Sequence, residues 1–135
     1  VDLLRMLAGE IVEAKGLCGH QLGFETEDTS AAALAFESGA LGTLTVSVNV
    51  WRRDTRVEIV GTEGAVMAEG ASVNDPGRVM LMQPRSEPRE LPVERPSAWA
   101  RQLDSVTRAA CGEELPYATG EDGARNLEIL EQIAP

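Results

Sequence analysis

The sequence predicts an α+β fold, a mostly antiparallel open sheet with helices packed on one face. Two observations support this class. Apolar–polar alternations of period two, separated by turns that contain glycine or proline, recur from residue 11 to residue 93. A helical pattern precedes them and two amphipathic helical patterns follow them. The 135 residues and the hydrophobic content of 43% suit one core, so we expect residues 1–135 to form a single domain.

Each element has a local signal. An apolar helical face in the first residues predicts a helix that ends at Gly9, because glycine accommodates the helix C-terminus. Gly39 predicts a hairpin turn between the second and third strands, since such turns require a positive φ. The predicted strands are residues 11–17, 29–36, 41–50, 56–60, 65–68, 79–82 and 91–93.

The strand predicted at residues 41–50 alternates most strongly. Its apolar face points to a helix-covered core. A solvated sheet face usually carries Lys and Glu, whereas this strand has only small uncharged residues on its other face. We therefore expect a homo-oligomer in which this sheet face packs against a second subunit. The residues concerned are Thr43, Thr45, Ser47 and Asn49.

Two helices are predicted after the strands. Ser97 is a suitable N-cap, and the apolar face that includes Trp99, Leu103 and Val106 is expected to lie in the core. The last helix is predicted to begin at Glu121–Asp122, because acidic residues in a first turn interact favourably with the helix dipole.

Charge and composition exclude several classes of function. The formal net charge of −10 would repel phosphate backbones, so nucleic acid is not an expected partner. No apolar run approaches the ~20 residues of a membrane span, and the N-terminus lacks a secretory pattern, so no membrane partner is expected. Two distant cysteines without a secretory signal predict free thiols and a cytoplasmic location.

A metal site is not expected either. Cys18, His20 and Cys111 are the natural ligands to consider, but their spacing matches no common zinc pattern. The simpler interpretation is two small apolar thiols and a surface imidazole.

Four segments of the chain carry motifs of one protein family. Residues 1–9 (VDLLRMLAG) are similar to a helix H-x-x-D-L-L-x-x-L-x-G, with the histidine position upstream of Val1. Residues 27–42 resemble the pattern E-D…F-x-S-G-A-x-G, and residues 57–64 resemble a strand followed by a G-T-x-G turn. Residues 116–127 resemble a closing T-G-x-D-G segment. In this order the four segments resemble the glucose–fructose oxidoreductase / inositol dehydrogenase (Gfo/Idh/MocA) family.

The resemblance implies a two-domain parent enzyme, with an N-terminal Rossmann domain for NAD or NADP and a C-terminal α+β domain. This chain would be the second domain alone, a fragment of a larger chain. It contains no G-x-G-x-x-G phosphate cradle, so no cofactor-binding residue is predicted here.

The implied function is substrate binding and oligomerisation in an NAD(P)-dependent oxidoreductase that acts on a sugar, polyol or related hydroxy compound. The family's proton-transferring lysine and histidine would lie upstream of Val1. No catalytic residue is therefore predicted in this chain, and alone it is expected to be inactive. Two alternatives stay open: a stand-alone dimerising or ligand-binding module of the same fold, and an unrelated small α+β binding protein.

Three residues are candidates for substrate binding. Trp51 and Arg53 lie where the family places substrate-contacting side chains, and an arginine's fork of donors suits a carboxylate or several hydroxyls. The alternative is a solvated arginine beside a tryptophan packed on the sheet edge. Asp2 would orient a substrate hydroxyl or the missing histidine's helix, or would serve only as a first-turn acid.

Overall fold

The structure is a computed structural model that describes residues 1–51, 55–70, 77–94, 97–113 and 118–134. Within them it contains three helices and seven strands. In chain order they are α1 (Asp2–Ala8), β1 (Ile11–Gly19), β2 (Thr29–Phe36), β3 (Leu41–Ser47), β4 (Arg56–Val60), β5 (Ala65–Glu69), β6 (Arg78–Met82), β7 (Arg89–Leu91), α2 (Ala98–Ala110) and α3 (Gly120–Ile133). The predicted α+β class with antiparallel sheets is confirmed, and the strands form two sheets.

The chain divides into two compact units. The first combines residues 1–51 with residues 118–134, and the second takes the described residues from 55 to 113. The first unit contains α1, the antiparallel sheet β1–β2–β3 and α3. The second contains the antiparallel sheet β4–β5–β6–β7 and α2.

A β-bulge shapes the start of β1. Ile11 pairs with Phe36 and Glu13 pairs with Ala35, so Val12 is the extra residue and is 55% exposed. The bulge resets the alternation, and both Ile11 and Ala14 are consequently buried although they are three residues apart. A strict period-two reading of this segment could not place both on the same face.

The core of the first unit lies between one sheet face and α3. Ile129 and Ile133 from the helix are fully or almost fully buried against Ile11, Leu34 and Phe36 of the sheet. Burying each such side chain contributes about 1.5–3 kcal/mol. This interface therefore fixes the position of the last helix on β1 and β2.

Gly16 allows α3 to lie close to the sheet. A Cβ atom at this position would be 2.5 Å from the Cγ2 atom of Ile133 and 2.6 Å from its carbonyl oxygen. Both distances are below any normal carbon contact, so a larger residue would push the helix away.

Among the described residues of the first unit, no helix packs on the opposite face of the sheet, which we call the open face. Strand register places its residues in four cross-strand rows. The rows are Glu13–Ala35–Leu41, Lys15–Ala33–Thr43, Leu17–Ala31–Thr45 and Gly19–Thr29–Ser47. Leu17 is 82% exposed and Leu41 is 84% exposed. Glu13 and Lys15 form an ion pair at 2.6 Å, and the other side chains of these rows are uncharged.

The strand β3 is shorter than predicted and ends at Ser47. The backbone N–H of Val48 donates to the carbonyl of Asp28 at 2.9 Å, and the chain then bends through Asn49 and Val50. Thr43 and Thr45 lie exposed on the open face. The Asn49 side chain instead turns to hydrogen-bond with Asp28 and Gln21. The expectation that the apolar face of this strand points to a helix-covered core was wrong beyond Leu44, because Val46, Val48 and Val50 are more than half exposed.

The second unit is more open. None of the residues that the structure describes in its four strands is fully buried. In α2 the Ser97 hydroxyl accepts from the N–H of Ala100, as the N-cap prediction requires. The expectation that Trp99 lies in the core was wrong, because its side chain is 61% exposed and Leu103 beside it is 69% exposed. An apolar stripe on a helix indicates a face whose burial would be favourable, but it does not show that another element packs on that face.

Candidate functional site

Asp2, one of the predicted substrate-binding residues, lies at the start of α1 and contacts α3. Its carboxylate accepts a hydrogen bond from the Nδ2 atom of Asn126 at 3.0 Å. This partner comes from a segment more than 120 residues away in the sequence. Asp2 therefore joins the two helices of the first unit, a role that the first-turn interpretation did not include.

Arg5 makes the strongest connection between the same helices. Its guanidinium donates to the carboxylate of Glu10 at 3.0–3.3 Å, to the Oδ1 atom of Asn126 at 2.9 Å, and to the carbonyl of Asp122 at 3.2 Å. Only 13% of its side chain is exposed. A planar guanidinium with five donors can satisfy all these acceptors at once, and a lysine could not.

Glu10 lies between two arginines. It accepts from Arg5 and also from the Nε atom of Arg125 at 2.7 Å. Hydrogen bonds from Arg5, and then from Arg125, hold the pKa of Glu10 below its ordinary value despite partial burial. The same contact with Glu10 raises the pKa of Arg5. Arg5, Glu10 and Arg125 form a charge network. We call these three residues, together with Asn126 and Asp122, the helix clamp.

The T-G-E-D-G segment (residues 119–123) forms the N-terminal cap and first turn of α3. Thr119 is the N-cap, its hydroxyl accepts from the N–H of Asp122 at 3.2 Å, and the Asp122 carboxylate accepts from the Thr119 N–H at 3.0 Å. This reciprocal pair is a capping box. The bonds from Thr119, followed by the charge of Arg5, lower the pKa of Asp122. The predicted helix start was one residue late, since α3 begins at Gly120.

Trp51 stands apart from the helix clamp. It is 94% exposed, so it does not pack on the sheet edge, and its side chain is free to meet a ligand or another part of the protein. Arg53 lies outside the described residues. No hydrogen bond or ion pair among the described side chains joins Asp2 to Trp51. The substrate-binding role of Asp2, Trp51 and Arg53 stays a prediction.

Asp28 of the E-D segment is buried, with 3% of its surface exposed. One carboxylate oxygen accepts from the N–H of Leu22 at 2.6 Å, and the other accepts from the Nδ2 atom of Asn49 at 3.3 Å. Sequence reasoning used Asp28 only as part of a motif. An acidic residue before a strand of small apolar residues is a common pattern, so the sequence could not identify the hydrogen-bond partners of Asp28.

A cavity of about 260 Å³ opens beside this loop. Cys18, His20 and Glu27 line it on one side and Ile133 with Ala134 on the other. The Sγ atom of Cys18 is 3.4 Å from the Ser30 hydroxyl and donates to the carbonyl of Ile133 at 3.6 Å. Throughout the described part of the chain, no group of three or more His, Cys, Asp or Glu side chains is arranged to hold a metal ion. Both cysteines are free thiols.

The second unit has a shallow cavity of its own, of about 440 Å³, at the Gly61–Gly64 turn. Ile59, Val66 and Leu81 line it from one sheet face. A Cβ atom on Gly64 would collide with the carbonyl oxygen of Met82, so the turn requires glycine there. These glycines close a strand turn and form no phosphate cradle at a helix N-terminus. None of the helices in the described residues is long and apolar enough to cross a membrane.

The sequence of the first half identifies the family. Residues 1–67 match the family model for the GFO/IDH/MocA C-terminal domain. The chain therefore belongs to the Gfo/Idh/MocA family of oxidoreductases, and the matched part corresponds to their C-terminal domain. A comparison with curated protein sequences finds no match.

Solved structures share the fold at low sequence identity. UDP-N-acetylglucosamine 3-dehydrogenase GnnA from Acidithiobacillus ferrooxidans superposes with a TM-score of 0.83 at 17% identity, over 98% of this chain and 42% of GnnA. Aldose-aldose oxidoreductase from Caulobacter crescentus, complexed with glycerol, gives 0.83 at 23% identity, over 96% and 40%. The WlbA dehydrogenase from Bordetella pertussis, in complex with NADH and UDP-GlcNAcA, gives 0.76 at 24% identity, over 98% and 38%. The chain thus spans about two-fifths of these proteins.

Proposed function

We propose that this chain is the substrate-binding and oligomerisation domain of an NAD(P)-dependent oxidoreductase that acts on a sugar, polyol or related hydroxy compound. The observation that carries the proposal is the match of residues 1–67 to the C-terminal domain of the family. WlbA, a protein of the same fold, binds NADH and a nucleotide sugar, which is consistent with this substrate class. The free thiols suit a reducing compartment, and we propose the cytoplasm as its location.

In this proposal the chain supplies binding and geometry, while the cofactor domain supplies the nicotinamide and the proton-transfer groups. A bound nicotinamide would accept a hydride from the carbon that bears the substrate hydroxyl. The exposed Trp51 offers an apolar surface to one face of a sugar ring. Arg53 would donate to substrate hydroxyls or a carboxylate, and Asp2 would accept from a hydroxyl.

The decisive experiment compares the complete product of the encoding gene with the 135-residue chain. Both are assayed for reduction of NAD⁺ and NADP⁺ with free sugars, polyols and nucleotide sugars. We expect the complete product to reduce one cofactor with at least one substrate class, and the 135-residue chain to show no activity. A complete gene product that neither binds nicotinamide nor oxidises any of these compounds would favour the non-catalytic module.

Substitutions in the active enzyme test whether Trp51 and Arg53 contact the substrate. Trp51→Ala and Arg53→Ala should raise KM, since both remove contacts made to the bound substrate. The matched control is Arg89→Ala in β7, an exposed residue whose side chain makes no hydrogen bond or ion pair with the described residues. Equal effects of Arg89→Ala and Arg53→Ala on KM would contradict the assignment.

We also propose that the open face packs against a second copy of the chain. Its rows contain mainly alanine, threonine and leucine, and Leu17 and Leu41 expose most of their surface. Neighbouring backbones can approach closely across alanine and threonine side chains. The Glu13–Lys15 pair neutralises the charge at one side of the face.

Ala33, on the middle strand and in an inner row of the open face, provides the test. Ala33→Glu and Ala33→Arg should both convert a dimer to a monomer in light scattering, because each places a long charged side chain in the middle of the contact. Ser38→Arg, in the exposed hairpin turn, is the control and should leave the mass unchanged. A wild-type chain that stays monomeric at tens of micromolar, or a dimer that survives both Ala33 variants, would exclude this face.

A further inference from the structure

Asp28 is an unusual residue within this fold because it is charged, buried and without an ion pair among the described side chains. Only 3% of its surface is exposed, and Ser105 is the sole other polar residue that is buried in the described part of the chain. Removing a carboxylate from water costs several kcal/mol unless hydrogen bonds replace the water. Its burial therefore calls for a specific set of donors.

The donors and acceptors around Asp28 come from three different segments. Its N–H donates to the carbonyl of Gly19 at the end of β1, at 2.9 Å. Its carbonyl accepts from the N–H of Val48, also at 2.9 Å. Its two carboxylate oxygens accept from the N–H of Leu22 at 2.6 Å and from the Asn49 carboxamide at 3.3 Å. One residue thus joins a strand end, the loop of residues 20–27 and the bend of residues 48–51.

Asn49 extends the connection on the bend side. Its Nδ2 atom also donates to the Oε1 atom of Gln21 at 3.2 Å, and its Oδ1 atom accepts from the hydroxyl of Ser47. The Ser47 hydroxyl in turn is 2.9 Å from the Thr29 hydroxyl. Gln21 belongs to the 20–27 loop and Asn49 to the bend. Ser47 precedes the bend, and Thr29 follows Asp28.

Two functional features depend on the segments that Asp28 joins. Trp51 ends the bend and is 94% exposed, so no packing of its own fixes its direction. His20 and Glu27 begin and end the loop and line the cavity of about 260 Å³. The orientation of all three side chains consequently depends on the backbone that Asp28 holds.

We infer that Asp28 is a positioning residue, which fixes the 20–27 loop and the 48–51 bend and thereby sets the direction in which Trp51 is presented. The inference rests on the proposed function, because the direction of Trp51 matters to a reaction only if Trp51 faces substrate. A simple role in overall stability is the competing explanation, and the two differ in which residues become mobile when Asp28 is changed.

Nuclear magnetic resonance of the 135-residue chain separates these explanations without cofactor or substrate. The background is Trp99→Phe, which leaves Trp51 as the only indole. Asp28→Asn keeps the shape and removes the charge. We expect backbone order parameters at Leu22, Val48 and Trp51 to fall from about 0.85 to below about 0.6, with core strand residues unchanged. Asp104→Asn, an exposed acid on α2, is the control and should change none of them.

Asn49→Ala gives a second, milder variant in case Asp28→Asn does not fold. It removes one bond to Asp28, so the bend should loosen while Leu22 keeps its order. Unchanged order at Trp51 in both variants would overturn the inference. A uniform loss of order across β1–β3 would also overturn it, because that is the result of a purely structural role.

The complete enzyme supplies a functional test. Asp28→Asn should raise KM severalfold when Trp51 is present and have little further effect in a Trp51→Ala background, since two residues acting through one contact are not additive. Additive effects would contradict action through Trp51. If the enzyme assay fails because the proposed function is wrong, the order parameters still decide whether Asp28 positions the bend.

Discussion

Arg5 holds α1 to α3 through hydrogen bonds to Asp122 and Asn126. Arg5→Ala would leave Glu10 with Arg125 alone and would leave the carbonyl of Asp122 and the Oδ1 atom of Asn126 without this donor. Unpaired groups of this kind cost about 1–3 kcal/mol, so we expect a loss of about 2 kcal/mol in unfolding free energy. Arg5→Lys should lower the unfolding free energy by a smaller amount, because an ammonium cannot make the forked contact with Glu10.

Urea denaturation measures this effect. Arg89→Ala is the control and should change the unfolding free energy by no more than about 0.5 kcal/mol, as is usual for exposed positions. If Arg5→Ala and Arg89→Ala are equally stable, the helix clamp contributes nothing to the fold.

Glu10 makes the stability of the first unit depend on pH. Its pKa is lowered in the folded state by Arg5 and Arg125, and in the unfolded state it should return to about 4.3. A lowered folded pKa means that the stabilisation is complete above the unfolded value and is lost as pH falls through the folded one. Wild type should therefore be more stable than Glu10→Gln at neutral pH.

The comparison of these two proteins is made by thermal unfolding from neutral to acid pH. The stability advantage of wild type should shrink below about pH 4. Glu37→Gln, in the exposed hairpin turn, is the control, because it removes a carboxylate that lies outside the helix clamp. An advantage of wild type over Glu10→Gln that does not change with pH would mean that the charge of Glu10 is irrelevant.

At the scale of elements, the close approach of α3 to β1 depends on Gly16. Gly16→Ala should destabilise the chain by about 1–3 kcal/mol, because its methyl group would meet both the side chain and the backbone carbonyl of Ile133. Gly19→Ala in the same strand is the matched control, since its nearest atoms would be 3.8 Å away. Equal unfolding free energies for the two variants would show that α3 can move without cost.

At the scale of the whole molecule, the net charge of −10 opposes the proposed pairing of two copies. Repulsion between like-charged chains is screened by salt, with a Debye length of about 10 Å at 0.1 M. We expect the dimer to dissociate at low salt and to strengthen between about 0.02 M and 0.5 M sodium chloride, as measured by sedimentation equilibrium. A dimer weakened by salt would point to ion pairs and away from the small, uncharged open face.

The sequence predicted the elements well where local signals were strong. The glycine of the hairpin turn and the Ser97 cap each act over a few residues, and each was confirmed. The apolar face predicted for residues 41–50 was confirmed only in part, because Val46, Val48 and Val50 are more than half exposed. It failed for Trp99, because helical periodicity reports an apolar face and carries no information on what covers it. It also missed the bulge at Val12, since one extra residue leaves the composition of the strand unchanged.

The candidate site was predicted less completely. Asp2 was chosen from a motif, and its contact with Asn126 could not be foreseen because the two residues are 124 positions apart. Arg5, Glu10 and Arg125 carry no motif that distinguishes them from other surface charges. Only folding brings such groups together, and local sequence does not encode their distance.

By itself, the sequence determined the α+β class, the order of helices and strands, the acidic charge and the resemblance to one oxidoreductase family. These follow from periodicity, turn residues and motif order, which are local properties of the chain. The tertiary structure alone decided that Asp28 is buried, that Arg5 and Arg125 share Glu10, and that one sheet face is left open. Those facts depend on contacts between segments that are separated in the sequence. The bonds of Arg5 join α1 to α3, and the bonds of Asp28 join a strand end, a loop and a bend.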